Sequence, residues 1–170
     1  MKPVTTYLLL GGNLGDRADA LARTCRLVSL LIGRVDKMSR VYETAAWGTE
    51  DQAPFLNQVV QVATPYSPQG VLRAIASIEG RFGRRFRRHW GEREQDVDIL
   101  FYGDRIIAEP TLVVPHQRMA DRRFVLAPLA ELAPDFRHPV NGHTVADMLV
   151  VCTDPLPVRP LGHILEPQSA

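Results

Sequence analysis

Apolar positions recur along this chain with two different periods, and the switches between them outline most of its elements. Tyr7 to Leu10 (YLLL) is a short, continuously apolar run of the kind that forms a buried strand, and Gly11 and Gly12 predict that it ends there in a turn. From Asp16, an N-cap by residue type, DRADALARTCRLVSLLIG places Leu21, Cys25, Val28 and Ile32 at helical spacing and predicts a stop at Gly33. Val35 to Tyr42 alternates as a strand does, and FLNQVVQVA at 55–63 is a second, β-branched run bounded by Pro54 and Pro65. The polar connection between them, ETAAWGTEDQAP, is long enough to be a functional loop. Ser67 as N-cap and Pro68 at the first helical position open a second helix with Val71, Ile75, Ile78 and Phe82 as its apolar stripe. QDVDILFY at 95–102 reads as a further strand ended by Gly103 and Asp104, with Ile106 and Ile107 starting a return pairing. A third helical pattern over Arg123 to Leu132 is interrupted by Pro128, and Thr144 caps a short helix through Val150.

The order βαββαβ, with two amphipathic helices between strands, predicts an α+β fold with a ferredoxin-like core: an antiparallel sheet with helices packed on it, plus C-terminal additions. With 170 residues, 45% of them hydrophobic, the chain fits one domain, expected over residues 1–152. Prolines at 155, 157, 160 and 167 predict an extended, Pro-rich tail over 153–170.

Charge narrows the function. A formal net charge of +1, with 23% charged residues, gives no whole-chain field that would draw in nucleic acid or an anionic membrane. Cys25 and Cys152 belong to no metal-ligand or disulfide pattern and read as reduced thiols. The N-terminal apolar run is too short for a signal segment, and no stretch approaches the ~18–20 apolar residues of a membrane span, so a soluble cytoplasmic protein is expected. Of the 20 basic residues only Lys2 and Lys37 are lysines, and neither follows a Gly-rich loop. A Walker-type phosphate site is thereby excluded, and any phosphate would be held by arginine forks.

Asp96 and Asp98 are the most informative pair. A spacing of two on a strand points both carboxylates to one face, where a hard cation such as Mg²⁺ would relieve their repulsion. Two acids on an edge strand facing water would carry the same spacing. The segment 83–95, GRRFRRHWGEREQ, crowds Arg84, Arg85, Arg87, Arg88 and Arg93 beside them. A metal-binding acid pair next to an arginine cluster is what polyphosphate transfer requires. A ferredoxin-like RNA-binding module, using the arginine-rich loop with Trp90 as stacking platform, is the alternative from another class, although it leaves the two aspartates unexplained.

These residues carry a resemblance. The run from Gly83 to Gly103, an Arg followed by Trp-Gly-x-Arg and Asp-x-Asp on an apolar strand, resembles the signature of the 6-hydroxymethyl-7,8-dihydropterin pyrophosphokinase family. GGNLGD at 11–16, YETAAWG at 42–48, FLNQVV at 55–60 and VPHQRMADRRF at 114–124 resemble further family motifs in the same order, across about residues 5–150. The resemblance implies a diphosphotransferase of folate synthesis, in which the pterin's hydroxymethyl oxygen attacks the β-phosphorus of ATP and AMP leaves. It implies two Mg²⁺ on Asp96 and Asp98, ATP as co-substrate, and Arg84 and Arg93 as catalytic phosphate contacts. Trp90 would line the closed site. Glu79, His116 and Arg122 would lie on the nucleotide side, and Thr44, Phe55, Asn57 and Phe124 around the pterin, two rings for its faces and an amide for its edge.

Simpler readings stand beside these. Phe55 and Phe124 also suit plain core, Asn57 a structural amide, His116 an ordinary loop histidine, and Glu79 an ion pair with a nearby arginine. Gly11 and Gly12 suit turn residues alone. The chain departs from the family pattern at Ala45, Ala46, Ala76, Phe86, His89 and Glu92. The partners expected are small molecules, with neither nucleic acid nor membrane, and the protein is expected to be a monomer.

Overall fold

The computed structural model describes residues 2–46, 51–83 and 95–162. Val4–Gly12 forms β1, with Gly11 and Gly12 as its last two residues rather than a turn after Leu10, and the bend follows at 14–16. Asp16 caps α1 (Arg17–Leu31), its carboxylate accepting the Asp19 N–H at 3.0 Å. Gly33 does follow α1, but not in a left-handed cap: a Cβ there would lie 2.3 Å from the Ala63 carbonyl oxygen, so glycine serves the close approach of this corner to a strand.

The strand expected over 35–42 is two strands, β2 (Arg34–Met38) and β3 (Val41–Thr44), both pairing with β4 (Phe55–Thr64). The break is built by Ser39, whose hydroxyl accepts the Val59 N–H while its own N–H donates to the Val59 carbonyl. Ser67 and Pro68 start α2 (Pro68–Gly80) as expected, and Val71, Ile75, Ile78 and Phe82 are all buried. Asp96–Tyr102 forms β5. The return pairing instead closes a separate hairpin of β6 (Ile107–Glu109) and β7 (Leu112–Val114), leaving Ile106 exposed. After a single 3-10 turn at Met119–Asp121, α3 (Arg123–Leu132) runs through Pro128 without interruption. Burial of Val125, Leu126, Pro128 and Leu129 offsets the one helical hydrogen bond that proline removes. Thr144 caps α4 (Val145–Val151), and part of the proline-rich tail forms β8 (Val158–Gly162) along β3.

The strand order is β5-β1-β4-β3-β8, with β2 also on β4, and every pairing is antiparallel. Taken with α1 and α2, this is the ferredoxin-like α+β arrangement. The sheet separates two cores. On one face Leu8, Leu10, Leu56, Val60, Val62, Val97 and Ile99 pack with Leu21, Val28 and Ile32 of α1 and Val71, Ile75 and Ile78 of α2. On the other, Tyr7, Leu9, Val59, Leu100 and Phe101 pack with Val125, Leu126 and Leu129 of α3 and Val145 and Met148 of α4. No helix among the described residues is long and apolar enough to cross a membrane.

Gly33 tests this corner. Gly33→Ala should cost about 1–3 kcal/mol, since the obstruction is backbone of β4 and cannot rotate away. Urea unfolding should show a lower midpoint with an unchanged slope.

Candidate functional site

Gly11 pairs with Asn57 of β4 across one edge of β1 and with Asp96 of β5 across the other, and Leu9 pairs with Asp98. Directly paired residues of an antiparallel ladder share a face. Asn57, Gly11, Asp96 and Asp98 therefore all belong to the α3/α4 face, as do Phe55 and Thr44, which pair with each other, and Tyr42, which pairs with Asn57. Toward its middle this face is covered by α3, whose Phe124 packs against the second core. Toward the ends of β1 and β3 and the starts of β4 and β5 it carries these polar side chains instead.

The close fit at Gly11 has a steric cause. A Cβ there would fall 2.2 Å from Asn57 Oδ1, so the amide lies across the strand in space that any other residue would fill. Gly11 therefore does more than make a turn. Thr44 is 3% exposed, and its hydroxyl has no hydrogen-bond partner among the described residues. The amide of Gln95, also 3% exposed, is in the same condition immediately before Asp96. Buried polar groups normally find partners, so both mark places where another group is to be met.

Asp98 also borders a cavity of about 180 Å³ at the outer edge of β5, between Leu72 and Ile75 of α2, the turn and strand at Thr111 to Val113, and His116. His116 Nδ1 accepts the Arg118 N–H at 3.4 Å, which leaves Nε2 as the donor of the neutral ring. Burial, reinforced by Arg122 and Arg118 and opposed by Asp96, holds this imidazole below its ordinary range. Burial and Arg118 likewise pull the Arg122 guanidinium below its ordinary value, against the carboxylates of Asp98, Asp154 and Asp121. His116 is thus an electrostatic neighbour of Asp96, and Arg122 of Asp98.

Glu79 is buried on α2, and its Oε1 accepts the Val97 N–H at 3.0 Å. Val97 lies between the two aspartates on an edge strand, so Glu79 satisfies a backbone donor that β1 does not reach. This gives the acid a structural contact in addition to the nucleotide-side role that the resemblance implies.

Several contributors escaped the sequence reading. Asn13 Nδ2 donates to Gln52 Oε1 at 3.2 Å and to the Ala53 carbonyl at 3.1 Å. Arg17 donates to Glu43 Oε2 at 3.0 Å and to the Pro54 carbonyl at 2.7 Å. Both ends of the connection after β3 are therefore held by the turn that opens α1. Asn13 and Asp16 stand in GGNLGD, so the motif was visible, but its partners lie roughly forty residues away. Arg84, Trp90 and Arg93, with the rest of the arginine-rich segment, lie outside the described residues, as do Trp47 and Gly48.

Comparison with known proteins gives a consistent picture. The family model described as 7,8-dihydro-6-hydroxymethylpterin-pyrophosphokinase matches residues 7–134. The 2-amino-4-hydroxy-6-hydroxymethyldihydropteridine pyrophosphokinase of Aquifex aeolicus is 40% identical over 136 residues, covering 80% of this chain and 84% of the relative. The protein of the same name from a Synechocystis species is 39% identical over 166 residues, covering 94% and 85%. Among solved structures, a Plasmodium falciparum HPPK-DHPS superposes with a TM-score of 0.73 at 17% identity, over 88% of this chain, which bears on the fold alone. The chain spans 43% of that longer protein.

The charge arrangement around His116 is open to titration. Its imidazole should titrate below the ordinary value of about 6.5 by NMR. Arg122→Gln should raise the midpoint without restoring it, because burial, the larger cause, remains. A depressed histidine favours folding in its neutral form. Its contribution is therefore present above about pH 6.5 and is lost as pH falls from there toward the folded-state midpoint.

Proposed function

The chain belongs to the 7,8-dihydro-6-hydroxymethylpterin-pyrophosphokinase family, and we infer that the face bearing Asn57, Thr44, Asp96 and Asp98 is where it joins its two substrates. The enzyme transfers the pyrophosphoryl group of ATP to the hydroxymethyl oxygen of 6-hydroxymethyl-7,8-dihydropterin, giving AMP and the pterin pyrophosphate for folate synthesis. The observation that carries the site is the double pairing of Gly11, which sets an amide and two carboxylates on one face with a single strand between them.

In this reading the pterin lies between Phe55 and Phe124, with the Asn57 amide on its ring edge and the Thr44 hydroxyl supplied with the partner it lacks among the described residues. The nucleotide occupies the edge cavity beside His116 and Arg122, which brings its phosphates toward Asp98. Neutral His116 offers its Nε2–H, and Arg122 offers positive charge. Two carboxylates about 7 Å apart along a strand fit Mg²⁺, an ion commonly bound through one or two carboxylates with substrate phosphates completing its shell. When bound, two such ions would supply positive charge to offset that of the phosphates. Asp96 and Asp98 would hold them, Glu79 would keep the intervening backbone in place, and Arg84 and Arg93 would meet charge developing on the phosphates. No nucleophile of the protein is called for, since the pterin alcohol is the nucleophile and catalysis rests on positioning.

Mixing the protein with Mg-ATP and 6-hydroxymethyl-7,8-dihydropterin should yield AMP and a pyrophosphorylated pterin. ADP in place of AMP would place attack at the γ-phosphorus and remove the assignment. Asp96→Asn and Asp98→Asn should each slow AMP release by roughly two orders of magnitude or more across a Mg²⁺ titration, while melting temperature holds or rises as repulsion is relieved. Near-normal turnover in both at low Mg²⁺ would overturn the metal assignment. Asn57→Ala should weaken pterin binding by about 1–3 kcal/mol while leaving ATP binding nearly unchanged, measured by calorimetry.

A further inference from the structure

The segment after α4 lies beyond the residues matched by the family model, which ends at 134, yet it touches two elements that border the substrate face. Asp154 is 8% exposed and points at the start of α3. Its Oδ2 accepts the Arg123 N–H at 3.1 Å, and its Oδ1 accepts the Leu156 N–H at 3.0 Å, which folds the tail back on itself. The Arg123 side chain returns the contact, donating to the Asp154 and Cys152 carbonyls at 3.4 and 2.8 Å. The N-cap position of α3 is Arg122, whose side chain makes no capping bond. A carboxylate from 31 residues downstream therefore does the capping, placing negative charge where helix N–H groups converge. Arg122 and Phe124 flank the residue that it holds.

Four residues further on, β8 pairs along β3 so that Arg159 faces Glu43 and Val158 faces Thr44. Arg159 donates to Glu43 Oε1 at 3.1 Å, while Arg17 holds Oε2. The Arg159 side chain is 72% exposed, so its ion pair alone holds little, and the ladder is the stronger tie. One short segment thus engages the helix start that carries Phe124 and the strand end that carries Thr44.

We propose that residues 152–162 form a strap that positions the pterin pocket, with Asp154 as a positioning residue for Phe124 and Arg122 and β8 as the support of Thr44. This rests on the assignment of Phe124 and Thr44 to the pterin. The strap acts through backbone placement and touches no reacting atom.

Full-length Asp154→Ala, Asp154→Asn and Arg159→Ala enzymes test it, assayed well below their melting temperatures. Asp154→Ala should raise the pterin dissociation constant, read by pterin fluorescence, about five- to tenfold and lower kcat/KM for pterin. Hydrogen exchange should quicken at the first turn of α3. Asp154→Asn keeps a carbonyl oxygen for the Arg123 N–H and should recover most of the loss. Arg159→Ala should shift pterin affinity by twofold or less. Folded Asp154→Ala with wild-type pterin affinity and turnover would overturn the proposal, as would a lower melting temperature as its sole effect. If that variant does not fold, Asp154→Asn with wild-type exchange at α3 but pterin affinity as poor as that of a Phe124→Ala enzyme would overturn it, and near-wild-type affinity would support it. Failure of the wild-type enzyme to make pterin pyrophosphate would instead strike the pocket assignment, while the exchange change at α3 would still report on the strap.

Discussion

The hydrogen-bond register of β1 is the constraint on which the substrate face depends. This strand is bonded along both edges, and one residue, Gly11, is opposite Asn57 on one side and Asp96 on the other. With strands about 4.8 Å apart, the amide and the nearer carboxylate are set on the order of 10 Å from each other, with β1 between. A slip of one residue on either ladder would send one partner to the opposite face, into the core beneath α1 and α2. That slip is resisted by what it would bury and expose: Leu8, Leu10, Val60 and Val97 would leave one core while polar residues entered it. The one irregularity in the β1–β5 ladder, between Tyr7 and Leu8, lies on the far side of Leu9 from the substrate end. The pairing from Leu9 to Gly11 remains regular.

The two faces of the sheet have different tasks. Beneath α1 and α2 the contact is apolar throughout, apart from groups such as Glu79 and Thr24 whose side chains bond to backbone. On the opposite face α3 and α4 cover the middle and leave the substrate end lined by Asn57, Thr44 and the two aspartates. Packing of buried aliphatic side chains supplies the stability, at roughly 25 cal/mol per Å² of apolar surface removed from water, and the polar end draws on that reserve. Glu79 couples the faces, since a side chain rooted in the first core fixes the backbone between two carboxylates displayed on the second.

Much of this was legible from local pattern. Ser67-Pro68 and Thr144 mark helix starts through interactions that span three or four residues, and the alternation in DVDILFY assigns both aspartates to one face without knowledge of the fold. What escaped depends on partners distant in sequence. Gly33 reads as a helix stop, and only the position of Ala63 shows that it is there for a close approach. The strand over 35–42 reads as continuous because the break at Ser39 is made by bonds to Val59. The prolines after 153 suggest an extended segment, but not its pairing with β3, whose edge is more than a hundred residues earlier. Pro128 reads as an interruption because a local rule cannot weigh the burial that holds α3 together. Beyond the aspartate pair and the arginine cluster, the roles of the individual candidate residues came from resemblance and not from pattern. Glu79 shows the difference, since its bond to Val97 follows from neither.

The two sides of the substrate face are also held by different kinds of interaction, with a consequence for how each responds to change. The carboxylate side is part of the β1–β5 ladder, so moving Asp96 or Asp98 requires several backbone hydrogen bonds to shift together. The aromatic side is assembled from pieces: the start of α3 held by Asp154, the end of β3 held by Arg17 and β8, and the connection after it clasped by Asn13. Apart from the β8 ladder, each of these is one or two side-chain contacts, of order 1 kcal/mol apiece, and each can yield independently. Phosphate chemistry tolerates little displacement of its charges, whereas a flat ring between two aromatic faces can be gripped after it arrives. Rigid placement of the charges beside adjustable placement of the rings therefore suits a reaction in which one substrate must be aimed at another.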